Sequence, residues 1–72
     1  MRYFFDLDNE DPDEFGTEFA AEADVKTAAA RLLLDVARER SLAPPFQASV
    51  TVRGPDGTPK TRVMLALIDG VE

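Results

Sequence analysis

The sequence contains no cysteine and no histidine. Without cysteine there is no disulfide to staple a small fold, and no thiolate to bind zinc, hold an iron–sulfur cluster or act as a nucleophile. Without histidine the commonest metal ligand and the usual general base are missing as well. Long hydrophobic runs are lacking too: the longest strongly apolar stretch, Val63 to Ile68, is far too short to cross a bilayer. The opening residues Met1-Arg2-Tyr3-Phe4-Phe5-Asp6 hold neither a long apolar run nor a small-residue cleavage site, so no signal peptide is expected and the expected location is cytoplasmic. The chain of 72 residues suffices for one small domain spanning 1–72. A domain of that size buries only roughly 60% of the surface its unfolded chain exposes. With no staple, tight packing or association with a partner has to supply the rest.

Charge is present but unevenly placed. The net charge is −6; residues 1–24 carry nine acids and one base, residues 25–72 five acids and seven bases. The bases are dispersed, so no basic patch offsets the repulsion between an acidic chain and nucleic-acid phosphates. The acidic run itself reads first as a solvated, solubilising segment.

The apolar pattern divides the chain into elements. Arg2 to Asp8 alternates Tyr3, Phe5 and Leu7 with Phe4 and Asp6, which predicts a strand. Asn9 to Asp13 is polar around Pro12 and reads as a loop. Glu14 to Phe19 has room for a short second strand. Val25, Ala28, Ala29, Leu32, Leu33, Val36 and Ala37 recur at helical spacing. Asp24 is the expected N-cap, Leu32 and Val36 are expected against the sheet, and Pro44-Pro45 ends the helix beforehand. Phe46 to Arg53 alternates cleanly, Gly54-Pro55-Asp56-Gly57 is a turn signal, and Lys60 to Ile68 returns as the second arm of a hairpin. Hydrophobic matching selects a register with Val52 opposite Thr61, Val50 opposite Val63, Ala48 opposite Leu65 and Phe46 opposite Leu67. The expected fold is therefore α+β, β-(β)-α-β-β, an antiparallel sheet with one helix packed on one face. The expected core is Tyr3, Phe5, Leu7, the helix face, Phe46, Val50, Val52, Val63, Leu65 and Leu67.

Arg2-Tyr3-Phe4-Phe5-Asp6-Leu7, then Asp13-Glu14-Phe15-Gly16-Thr17-Glu18-Phe19, then a helix opening Asp24-Val25 with Ala28-Ala29, together resemble a bacterial family catalogued as domain of unknown function 6894. The likeness covers most of the chain and is most specific in the first 30 residues. This sequence departs from the family pattern at Asn9-Glu10, where a glycine is usual, and at Lys26-Thr27 in the helix start. The resemblance implies the strand–helix–hairpin layout and carries no functional residue across.

Candidate chemistry is sparse. Asp6, Asp8 and Glu10 stand at the first, third and fifth positions of a calcium loop, but Asp11 occupies the place of the obligatory glycine and Thr17 that of the bidentate glutamate. Ser41 and Ser49 have no imidazole to activate them. Gly16 reads as a turn or bulge at positive φ. No catalytic residue, metal ligand or cofactor is expected, and the chain is read as a non-enzymatic interaction module, either a homo-oligomer or an accessory to a larger protein. A nucleic-acid-linked regulator of antitoxin-like type is the alternative, resting on fold analogy. An acidic metal-binding or phosphate-mimicking surface over residues 6–24 is the third. The interface expectation falls on Phe4, Met64, Ala66 and Ile68, apolar residues on the sheet face away from the helix. If the first strand lies beside the last, they form one patch for a homodimer or a protein partner; the competing expectation is that the N-terminal segment or the Pro44-Pro45 loop covers it.

Overall fold

A computed structural model describes residues 1–8, 10–40 and 43–70; Asn9 and Ser41, both considered above, lie outside the described residues. The order is β1 (Arg2–Leu7), β2 (Thr17–Glu18), α1 (Glu22–Glu39), β3 (Phe46–Arg53) and β4 (Pro59–Leu67). The strands form one antiparallel sheet in the order β2-β1-β3-β4, an α+β fold.

β3 is central and its inner face is the most deeply covered: Ala48, Val50 and Val52 are all buried. On one side it pairs with β4 in the register that hydrophobic matching selects, Val52 opposite Thr61 through Phe46 opposite Leu67. The next pair is Arg53 with Pro59, so Lys60 is an extra residue in β4 at that point. This bulge lets the hairpin close without turning Lys60 and Arg62 into the core. Gly57 takes φ +87° in the turn, and Asp56 accepts from the Thr58 amide and hydroxyl at 3.0 and 2.7 Å.

α1 lies over β3 and β4. Its buried row is Val25, Ala29, Leu33 and Ala37, one residue every four, with alanines small enough to bring the helix close to the sheet. Leu32 and Val36, expected buried against the sheet, are only half-buried on the flank of that face; Leu33 takes the central place at 1% exposure. The helix also begins earlier than expected. Ala21 is the N-cap and makes no side-chain cap, so Asp24 is not the capping residue. Ala20-Ala21-Glu22-Ala23 favours helix strongly enough to start it without a cap, and Glu22 and Asp24 then sit in the first turn, where carboxylates suit the helix dipole.

Because α1 covers β3 and β4, β1 needs another lid. Phe19, absent from the expected core, supplies it. Its ring meets Tyr3 edge-on at 6.1 Å and Phe5 at 5.8 Å.

Candidate interaction surface

The sheet face away from α1 combines β1 and β3 residues through the pairing of Asp6 with Thr51 and Phe4 with Arg53. Two polar clusters result. In the first, Arg53 donates through Nε and Nη2 to the Asp6 carboxylate at 2.7 and 3.2 Å, and through Nη2 to the Asp13 carbonyl at 2.7 Å. Its guanidinium lies 4.8 Å above the Phe4 ring. Asp13 completes the arrangement. Its carboxylate accepts from the amides of Phe5, Phe15 and Gly16 at 3.0–3.1 Å, and its own amide donates to Asp6 at 3.0 Å. This explains the Asp-x-x-Gly spacing: the aspartate holds the loop, and Gly16, at φ +73°, turns it back into β2.

These contacts hold both carboxyls below the ordinary aspartate range. For Asp6 the main cause is the hydrogen bond from Arg53, which outweighs burial. For Asp13 burial pushes upward, but the three amides of Phe5, Gly16 and Phe15 together outweigh it. A carboxyl with a lower pKa in the folded than in the unfolded chain stabilises the fold above its unfolded pKa, and that contribution disappears as pH falls through the folded value. The urea midpoint is therefore expected to be flat near neutrality and to drop below about pH 4. Asp6→Asn and Asp13→Asn should each flatten the acid limb. An acid limb unchanged by both would contradict the clasp.

The second cluster is Asp8, Ser49 and Arg62. Ser49 is 1% exposed; its hydroxyl donates to the Asp8 carboxylate and accepts from Arg62 Nε and Nη2 at 3.2 and 2.9 Å. Arg62 also reaches Asp8 at 3.4 Å. A serine whose lone pairs face a guanidinium is a poor nucleophile, and the cluster reads as a clasp across three strands. The calcium-like trio does not converge. Asp6 is engaged by Arg53, Asp8 by Ser49 and Arg62, and Glu10 lies 3.9 Å from Arg40. A recess of about 240 Å³ beside it is lined by Asp8, Glu10, Arg40, Gln47 and Ser49.

The expected interface residues do not form one patch. β1 lies beside β3, not beside β4, because Asp6 and Asp8 find their partners, Arg53 and Ser49, on β3. Phe4 is half-buried beneath Arg53. Met64 and Ala66 stand on β4 opposite Ser49 and Gln47, with Ile68 just past the strand end. Met64 is 53% exposed and Ile68 81%, so neither the N-terminal segment nor the Pro44-Pro45 turn covers them. Met1 lies at the other side of the sheet, bonded to Phe19.

The two sheet edges are treated differently. On one side, β2 pairs with Arg2 and Tyr3, and beyond it the Phe5 amide is taken by the Asp13 carboxylate. On the other side, the outer edge of the nine-residue β4 carries no strand among the described residues. The alternation of β3 puts Ser49 and Arg53 on the outer face, but their partners depend on the β1–β3 register. The alternation of Phe4, Asp6 and Asp8 marks these three as outer-face residues but does not fix that register.

The family model described as Domain of unknown function (DUF6894) matches residues 2–66. No curated protein and no solved structure matches the chain. No helix among the described residues is long and apolar enough to cross a membrane.

Proposed function

We propose that this chain, which belongs to the DUF6894 family, is a non-enzymatic interaction module that binds an extended protein segment along the outer edge of β4. The observation that carries the reading is the contrast between the two edges. An exposed strand edge presents a row of unpaired backbone donors and acceptors, and folds that do not use such an edge blunt it with charge, proline, a bulge or a covering loop. Here β1 is blunted by β2 and by Asp13. In β4 the proline, the lysine, the arginine and the bulge all fall at its start, and Val63 to Leu67 carries no charge at all. Such an edge suits strand addition, in which main-chain hydrogen bonds give affinity and alternate side chains give specificity. The outer-face arginines Arg53 and Arg62 are each paired with a carboxylate, an arrangement that does not favour the nucleic-acid reading.

The test uses an extended Val-Thr repeat decapeptide, unrelated to this sequence, titrated into the isotopically labelled chain. Amide shifts should concentrate in β4 and vanish when the peptide backbone is N-methylated along the contacting edge. Shifts centred instead on Asp8, Ser49 and Arg62, or none at any peptide concentration, would refute strand addition.

A further inference from the structure

We infer that the segment bound along β4 is β4 of a second copy of this chain, paired antiparallel about a two-fold axis through Leu65. The inference rests on the strand-addition reading and adds the partner's identity and the register.

Side chains alternate strictly across a sheet. Val63, Leu65 and Leu67 are half-buried on the helix side, and Met64 and Ala66 are exposed on the other. Two β4 strands related by a two-fold axis must keep helix-side residues opposite helix-side residues, which leaves only registers centred on a residue and moving in steps of one residue of that centre. Centring on Leu65 sets Leu65 against its copy, Val63 against Leu67 and Met64 against Ala66. The five apolar positions within β4, Val63 to Leu67, then meet one another, and Arg62 stands against Ile68 just past the strand end. Centring on Met64 sets Arg62 against Ala66 and Lys60 against Ile68. Centring on Ala66 also pairs five apolar positions, but it sets Met64 against Ile68 and Val63 against Asp69, with Ile68 and Asp69 both past the end of β4. The hydrophobic pattern together with the end of β4 at Leu67 thus favours Leu65 as the centre.

Charge selects the same direction. Lys60 and Arg62 lie in the first half of β4 and Asp69 follows its end. Antiparallel pairing brings the basic half of one strand to the acidic end of the other, whereas parallel pairing would set Lys60 and Arg62 beside their own copies. The two-fold axis also places both helices on one side of the joined sheet. Phe4, across the sheet, has no part in this interface.

Because the chain has no cysteine, single introduced thiols report the register directly. A disulfide forms only where Cα atoms approach within about 7 Å, as directly opposed strand residues do. The wild type should scatter light as a dimer at high micromolar concentration. Under mild oxidation Leu65→Cys should link to itself, while Met64→Cys and Ala66→Cys should each link weakly. The double variant Met64→Cys/Ala66→Cys, which alters only exposed positions, should link efficiently even if Leu65→Cys impairs folding. A monomeric wild type, with the double variant linking no better than the exposed control Glu14→Cys, would overturn self-pairing. Binding of the Val-Thr peptide in that case would leave strand addition intact, so the two readings fail separately. Strong linking through Met64→Cys alone or Ala66→Cys alone would overturn the register.

Discussion

Leu33→Ala is expected to destabilise the fold by about 2–5 kcal/mol. Leu33 is 1% exposed, the largest of the fully buried side chains, and sits at the middle of the row through which α1 meets β3. Removing its branched end opens a cavity that neighbours such as Val50 and Val52, themselves fully buried, cannot collapse to fill. Domains hold only about 5–15 kcal/mol in total, and one of this size lies toward the low end, so the variant should be largely unfolded at modest urea concentration. Leu34→Ala, one residue along the helix, is the control. Leu34 is 43% exposed, and in the monomer its loss should stay within about 0.5 kcal/mol. Comparable midpoints for the two variants would mean that the buried face of α1 is wrongly assigned.

Gly16→Ala is expected to be the other severe substitution. At φ +73° a side chain is strained whatever the space around it, at a cost of about 1–3 kcal/mol. The space is also closed: a Cβ would stand 2.8 Å from Arg2 Cγ, 2.9 Å from Phe4 Cε1 and 2.9 Å from the Tyr3 carbonyl oxygen. The carbonyl belongs to β1 and cannot give way without disturbing the pairing of Tyr3 with Thr17. Overpacking of this kind adds about 1–3 kcal/mol. Gly57→Ala separates the two contributions, because Gly57 has φ +87° but no atom within 4 Å of the added Cβ. It should show the backbone strain alone. Equal urea midpoints for the two variants would rule out the steric part of the argument and with it the close seating of the loop on β1.

The hairpin was legible in the sequence because its two strands alternate over eight and nine residues, and a one-residue slip would have buried Lys60 and Arg62. The helix was legible for a similar reason, its apolar row being long and rich in alanine. Its start was not. Asp24 has the chemistry of a cap, but three alanines around Glu22 draw the helix back past it, and propensity prevails over capping. The place of β1 was the larger gap. Apolar periodicity says which face of a strand is buried and nothing about which strand lies beside it. The choice between β3 and β4 was made by outer-face polar pairs, Asp6 with Arg53 and Asp8 with Ser49, 47 and 41 residues apart in the chain. The same ambiguity joined Phe4 to Met64 and Ile68 in one expected patch. With β3 between them, Phe4 leaves that patch, Met64 and Ala66 stay exposed on the outer face of β4 with Ile68 just past its end, and the surface beside them is the outer edge of β4.

Hydrogen exchange along β4 tests this edge most directly. In an isolated edge strand the amides that point away from β3 are open to solvent, while those bonded to β3 are protected. The account predicts that the outward amides between Val63 and Leu67 exchange fast in dilute solution and become strongly protected as the chain is concentrated or given an extended peptide, with β1 and β2 unaffected. Outward β4 amides that stay unprotected under both conditions would contradict it.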